Sequence, residues 1–110
     1  MLPSRYFSDL TQPEIAAQFK NNPLVILPCG SIEQHGPHLP TGTDTFAANV
    51  IGHAVAERMD GLVLPATPFG VTPMHMPFEG TITLSPDTYM RVAIETCMST
   101  AKHGAKYLLI

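Results

Sequence analysis

The sequence has 110 residues and a mass of 11.9 kDa, which allows at most one domain and excludes tandem domains and long repeat arrays. Six basic and nine acidic residues give a formal charge of −3, which excludes the basic footprint of a nucleic-acid-binding protein. With 45% hydrophobic and 14% charged residues, the composition is that of a chain that buries a core, which excludes intrinsic disorder.

The first elements of the chain are predicted to be a helix and a strand. Thr11 and Glu14 have the spacing of a capping box, which predicts a short helix from Gln12 to Lys20. The apolar run Leu24 to Leu27 is bounded by Pro23 and Pro28, which is typical of a short strand buried on both faces. This strand is expected to be the first of a sheet.

The next predicted element is a long amphipathic helix that begins near Asp44 and ends at Gly61. Its polar residues fall together on one side, and these are Asn49, His53, Glu57 and Asp60. Its apolar residues form a stripe that we expect to face the core, consisting of Ala47, Val50, Ile51, Ala54, Val55 and Met59.

The second half of the chain predicts two strands, a helix and one long irregular segment. Leu62 to Leu64 is a short apolar strand, and the proline-rich stretch 65–83 that follows is apolar enough to be an ordered functional segment. Ser85 is an N-cap followed by Pro86, so a helix starts there and runs to Gly104. Its predicted apolar face comprises Met90, Ala93, Ile94, Cys97, Met98 and Ala101. The last strand is Tyr107 to Ile110.

The alternating order of helices and strands predicts an α/β fold with a mainly parallel sheet. A parallel strand is normally covered by helices on both faces, yet no helix follows the third strand in this sequence. We therefore expect residues 1–110 to be the N-terminal portion of a single larger α/β domain, truncated after its third strand.

The sequence also carries signals about its compartment. No apolar run approaches the ~20 residues of a membrane span, and the first ten residues contain no hydrophobic signal core. Cys29 and Cys97 lie far apart in apolar settings, which is typical of buried thiols in a reducing compartment and not of a disulfide scaffold. The expected location is the cytoplasm, with no membrane partner.

The segment 28–44, directly after the first strand, holds the candidate functional residues. Ligands of open α/β sheets bind beyond the carboxyl ends of the strands, which is where this segment lies. Glu33 and His35 are two residues apart, so in an extended segment their side chains point to one side. Glycines and prolines bend the segment back, which brings Asp44 to the same point. Two carboxylates and an imidazole suit Zn²⁺ or Mn²⁺.

A structural interpretation competes with the metal site. Asp44 is equally well explained as a helix N-cap, Glu33 as a solvated acid and His35 as an ordinary loop residue. The spacing Glu-x-His with a distant Asp is weakly specific, so on spacing alone this interpretation is the favoured one.

The run LPCGSIEQHGPHLPTGTD, residues 27–44, resembles the signature of the creatininase family, the creatinine amidohydrolases and their relatives. The later run FGVTPMHMPFEGTITL, residues 69–84, resembles the family's second motif, an aromatic residue and Gly, then His, then Phe-x-Gly-Thr. The similarity extends from about Leu24 to Ile110, and the first motif is long enough to be specific.

The resemblance implies a three-layer α/β/α enzyme with two divalent metal ions, Zn²⁺ or Mn²⁺ with iron as a further option. Glu33 would bind one ion, His35 the other, and Asp44 would bridge them. The implied function is that of a metal-dependent amidohydrolase, which cleaves a cyclic or linear, non-peptide amide C–N bond with a metal-activated water. The implied partners are a small-molecule amide and further copies of the chain, as in the family's hexamer.

The remaining metal ligands of the family, a His and a Glu, follow the third strand, so the sequence is expected to hold half a site. This leaves two alternatives open: a truncated, non-catalytic metal-binding or interaction module, or one half of a split amidohydrolase. No catalytic residue is predicted beyond the metal ligands. His38 and His75 are weaker candidates for binding substrate or supporting a metal ligand, and Cys29 is expected to be a small buried residue and not a nucleophile.

Overall fold

The computed structural model describes residues 2–110 and shows three helices alternating with three strands. Their order confirms the predicted α/β arrangement, and most boundaries agree within about two residues. The elements are α1 (Gln12–Asn21), β1 (Leu24–Ile26), α2 (Thr43–Met59), β2 (Leu62–Val63), α3 (Pro86–Lys102) and β3 (Tyr107–Leu109), with 3₁₀ turns at Phe7–Asp9 and Pro73–His75.

The three strands form one parallel sheet in the order β2-β1-β3. Val25 at the centre of β1 pairs with Leu62 on one side and Leu108 on the other. All residues of β1 and β2 are buried, which was predicted for β1, and these strands supply most of the core together with Leu10, Phe19, Leu27 and Leu64. The carboxyl ends of all three strands therefore lie at one edge of the sheet.

α2 packs on the sheet through its smallest residues. Gly52 and Ala56 are buried, and a Cβ on Gly52 would lie 3.2 Å from Pro28 Cγ. The helix can approach the sheet closely because its side chains at these positions are small or absent. His53, expected on the solvent face, stacks on the ring of Tyr6 at 4.8 Å. The predicted apolar stripe is correct for Val55, which packs on the core, but wrong for the exposed Ala47, Val50, Ile51 and Met59.

The C-terminus of α2 is also built differently from the prediction. Asp60, and not Gly61, adopts the left-handed conformation that ends the helix, with φ of 53°. The strain of this conformation is offset by contacts, because the Gln18 amide donates to the Asp60 carbonyl at 2.6 Å and Arg5 Nη1 lies 2.6 Å from its carboxylate. Gly61 lies against Leu24, where a Cβ would be 3.1 Å from the Leu24 side chain.

α3 begins as predicted, with Ser85 accepting a hydrogen bond from the Thr88 backbone N–H at 3.3 Å. Ala93 and Cys97 pack against the core from this helix. The rest of the predicted apolar face is exposed, and this part comprises Met90, Ile94, Met98 and Ala101. All three residues of β3 are exposed as well, although the strand pairs with β1. Within residues 2–110, no helix is both long and apolar enough to cross a membrane.

Candidate metal centre

The candidate centre is built on the loop that connects β1 to α2, at the carboxyl edge of the sheet. The loop folds back on itself because the Glu33 N–H donates to the Thr41 carbonyl at 3.0 Å. Gly36 allows the turn between these ends with a φ of 67°, a conformation that costs glycine little. The second half of the loop leads directly into the first turn of α2, where Asp44 lies.

A close backbone approach fixes the N-terminus of α2 against the loop. A Cβ on Gly30 would lie 2.5 Å from Thr45 Cα, so only glycine permits this contact. The Thr45 hydroxyl donates to the Ser31 carbonyl at 2.9 Å and holds the two segments together. Asp44, the neighbour of Thr45, is thereby held over the residues that follow Ser31.

Glu33, His35 and Asp44 converge as the sequence predicts. Each offers one ligand atom, and the three atoms all lie within 4.8 Å of one another. His35 Nε2 lies within hydrogen-bonding distance of Asp44 Oδ2, at 3.1 Å, and a metal ion at this point would compete for both atoms. All three residues are half-buried, which keeps their polar atoms reachable from solvent.

Ser31 is a member of the site that the sequence analysis missed. It is 9% exposed, and its hydroxyl donates to Asp44 Oδ2 at 2.8 Å, the same oxygen that His35 contacts. A hydroxyl that donates to a carboxylate fixes its orientation. The available signal was the spacing Ser31-x-Glu33-x-His35, which in an extended segment places all three side chains on one side.

The irregular segment after β2 covers the loop and brings in His75. Ile82 pairs with Ile32 in an isolated antiparallel bridge, so the end of the segment extends alongside the loop. His75 Nε2 lies 3.7 Å from Glu33 Oε1, and its Nδ1 lies 3.0 Å from Gln34 Nε2. His75 was a weak candidate from sequence, and Gln34 was missed.

His38 is not part of this cluster. It is exposed on the loop, and within residues 2–110 its side chain makes no hydrogen bond or ion pair. The structure therefore brings together Glu33, His35, Asp44 and His75 and leaves His38 outside.

Cys29 lies close to the loop but has no activating neighbour among its described contacts. Its thiol is within 3.7 Å of the Leu27 carbonyl and also contacts the phenol of Tyr89. Burial, followed by the hydrogen bond with Cys29, raises the pKa of Tyr89, so this phenol stays protonated and is no base for a thiol. Cys29 is partly exposed, whereas the sequence analysis expected it to be buried.

The donor set of the cluster fits a borderline divalent cation. Two carboxylates and one imidazole are ligands of Zn²⁺ and Mn²⁺, whereas copper and iron–sulfur sites use thiolates or mainly nitrogen. Asp44 has a second oxygen beyond the one that His35 and Ser31 contact, so its carboxylate has the capacity to serve two ions. The arrangement suits metal-assisted hydrolysis, because its polar atoms face an accessible edge of the sheet.

Comparison with known proteins gives one consistent family. The family model described as Creatininase: Creatinine amidohydrolase matches residues 8–110. A mycofactocin precursor peptide peptidase of Mycobacterium ulcerans (strain Agy99) is 39% identical over 88 residues, which cover 72% of this chain and 35% of that protein. The creatinine amidohydrolase of Pseudomonas putida is 29% identical over 116 residues, covering 100% of this chain and 45% of that protein.

The three-dimensional comparison agrees. The crystal structure of a creatinine amidohydrolase superposes with a TM-score of 0.90 at 28% identity, covering 97% of this chain and 44% of that one. Other creatininase structures at TM-scores of 0.89 and 0.90 are described as a Mn form and a Zn-Zn type. The chain thus spans 35–45% of the length of these peptidase and amidohydrolase relatives.

Proposed function

The chain belongs to the creatininase family, and from this premise we propose that it forms part of a metal-dependent hydrolase that cleaves an amide C–N bond. The observation that carries the proposal is the convergence of Glu33, His35 and Asp44 within 4.8 Å at the carboxyl edge of the sheet. The structural interpretation, with a solvated acid, a loop histidine and an N-cap, does not require the three side chains to lie close together. A metal site does require it.

We assign Glu33 and His35 to two different divalent ions and Asp44 to both. Zn²⁺ and Mn²⁺ are the proposed metals, because the donor set suits them and related structures exist in Mn and Zn-Zn forms. Three side chains supply too few bonds to saturate a pair of ions. The remaining bonds then come from water, from substrate or from residues outside this set.

Bound ions of this kind supply Lewis-acid polarisation of a carbonyl and lower the pKa of water. The residues of this chain hold the ligands in place for that chemistry. Ser31 fixes the orientation of Asp44, because its hydroxyl donates to Asp44 Oδ2 at 2.8 Å. The Glu33 backbone N–H donates to the Thr41 carbonyl at 3.0 Å, which fixes the point of the loop from which the Glu33 side chain extends. No side-chain nucleophile is needed.

The substrate class is an amide with an accessible carbonyl. The relatives described above are a peptidase and a creatinine amidohydrolase. A third relative, the 3-dehydro-scyllo-inosose hydrolase of Thermotoga maritima, is 33% identical over 86 residues, which cover 77% of this chain and 28% of that protein. Water attack on a carbonyl carbon is common chemistry for such a range of substrates. We propose a small-molecule amide as the substrate, with specificity set by residues outside the cluster.

The test is a paired substitution in the full native chain. Glu33→Gln and Asp44→Asn preserve the shape of each side chain while removing the anionic oxygen that binds metal. We expect both to lose bound metal and amide hydrolysis together, measured by elemental analysis and by turnover of linear and cyclic amides. Glu57→Gln and Asp87→Asn, exposed acids outside the cluster, are the matched controls and should change neither.

The possible results separate the alternatives. Unchanged metal content and turnover in Glu33→Gln and Asp44→Asn would overturn the proposal. Metal binding without turnover in the native protein would support a non-catalytic metal-binding module. Turnover that appears only when a second chain is added would support a split enzyme.

We also propose that the protein assembles with further copies of itself. α2 and α3 leave large apolar side chains exposed, among them Val50, Ile51, Ile94 and Met98 at more than half of their surface. Interfaces of permanent oligomers are apolar in this way. Light scattering of the native protein should give a mass several times that of one chain, and a monomer at micromolar concentration would contradict this assembly.

A further inference from the structure

The contacts of Gln34 determine which nitrogen of His75 carries a proton. The Gly36 backbone N–H donates to Gln34 Oε1 at 2.9 Å, and a backbone N–H has no accepting role. This fixes the orientation of the Gln34 amide, so its Nε2 is the group that faces His75. Gln34 therefore donates to His75 Nδ1, at 3.0 Å.

A ring nitrogen that accepts a hydrogen bond carries a lone pair and no proton. The proton of the neutral His75 ring consequently lies on Nε2, the atom that is 3.7 Å from Glu33 Oε1. This distance exceeds a hydrogen bond but is short enough for attraction between an N–H dipole and a carboxylate. The two side chains are 30% and 17% exposed, so water screens the attraction only in part.

We infer that His75 is a positioning residue for Glu33, and that Gln34 sets the tautomer in which it acts. This inference rests on the proposed function, because it gives His75 the task of orienting a metal ligand. A carboxylate that binds a metal through one oxygen leaves the other free to accept from an N–H donor. The same tautomer excludes His75 as a ligand in its own right, because its lone pair is taken by Gln34.

Such donors hold a ligand in the orientation that binds metal, and their loss typically weakens metal binding by about 10–100-fold. The structure also explains why the donor comes from the proline-rich segment. The end of this segment pairs with the loop through Ile32 and Ile82, and its middle is joined to its own end where the Thr72 N–H donates to the Thr83 hydroxyl at 2.8 Å. His75 lies between these two attachments.

The first experiment needs no substitution. Long-range ¹⁵N correlation spectra of the full native chain distinguish a protonated ring nitrogen from an unprotonated one. We expect His75 to show a protonated Nε2 and an unprotonated Nδ1. The opposite pattern would overturn the inference.

The second experiment measures affinity for Zn²⁺ and Mn²⁺ by competition with a chelator. His75→Asn removes the Nε2 donor and should weaken binding by about 10-fold, the lower end of the range because the contact is longer than a hydrogen bond, whereas His75→Gln keeps an amide N–H near the position of Nε2 and should recover most of the loss. Gln34→Leu removes the donor to Nδ1 without adding charge, so the tautomer is no longer fixed and binding should weaken, though by less than in His75→Asn. His103→Gln, at the C-cap of α3, is the control and should bind as the native chain does.

Two failures are distinguishable. If Glu33→Gln abolishes metal binding while His75→Asn and Gln34→Leu bind as tightly as the native chain, this inference is wrong and the proposed function stands. If the native chain binds neither ion, the proposed function fails, and the positioning role fails with it. Urea unfolding of each variant confirms that a weakened affinity belongs to a folded protein.

Discussion

Replacing Gly30 with alanine tests whether the site depends on the close approach of the loop to α2. A Cβ at this position would lie 2.5 Å from Thr45 Cα and 2.7 Å from both Thr45 N and Thr45 Oγ1. Two of these three atoms belong to the backbone of the first turn of α2. No rotation of a side chain can therefore relieve the contact.

The size of the disturbance follows from these distances. Ordinary contacts of a Cβ begin at 3.4 Å, so Thr45 Cα would have to retreat by about 0.9 Å. Overpacking of this kind costs about 1–3 kcal/mol in the free energy of unfolding, and the upper end is expected because backbone must move. Asp44 would move with Thr45, and its contacts with Ser31 and His35 at 2.8 and 3.1 Å would be lost. A misplacement near 1 Å costs about 100-fold in turnover.

The assays are urea unfolding without metal, followed by metal affinity and amide turnover. Gly42→Ala is the matched control on the same loop, because the three atoms nearest to its Cβ would all belong to the end of the Phe46 ring, the closest at 2.9 Å, and Phe46 is 60% exposed. Its stability should stay within about 1 kcal/mol of the native protein. A Gly30→Ala protein as stable and as active as the Gly42→Ala protein would refute the packing argument.

Two further predictions concern the first helix. Gln18→Leu removes the buried donor to the Asp60 carbonyl at 2.6 Å and should lower the free energy of unfolding by about 1 kcal/mol in urea, whereas equal stability would show that the amide is not needed to end α2. Hydrogen bonds from the Thr11 backbone N–H and hydroxyl hold the pKa of Glu14 below its ordinary value. These bonds therefore stabilise the fold above about pH 4.3, and their contribution is lost as pH falls through the lowered pKa. The stability difference between the native and Glu14→Gln proteins should therefore shrink as pH falls through the lowered pKa of Glu14, and a difference independent of pH would contradict this.

The order and position of the elements were predictable because local signals mark their ends. The capping box at Thr11 and the N-cap at Ser85 begin their helices as predicted. The packed face of α2 was not predictable from hydrophobicity, because the helix approaches the sheet where it is smallest, at Gly52 and Ala56. Its end at Asp60 depends on amide donors from α1, which no local pattern in α2 reveals.

The ligand triad was predictable because its residues lie close together in the sequence. The residues that orient the triad were predictable only in part. Ser31 was identifiable in principle, since it alternates with Glu33 and His35 on one side of an extended segment. Gln34 contacts His75, which lies 41 positions further along the chain. Its role depends on how the proline-rich segment folds over the loop, and this requires tertiary structure.

The sequence distances also bear on how the site responds to change. His35 and Asp44 are nine residues apart, so closing the loop that joins them costs little conformational entropy, and the triad is a local feature of one loop and one helix turn. His75 reaches Glu33 only because a separate segment is attached at Ile32 and Ile82. Changes in that segment should therefore alter the strength of metal binding while the triad persists. Changes at Gly30 or Ser31 disturb the triad itself, because these residues determine where Asp44 lies.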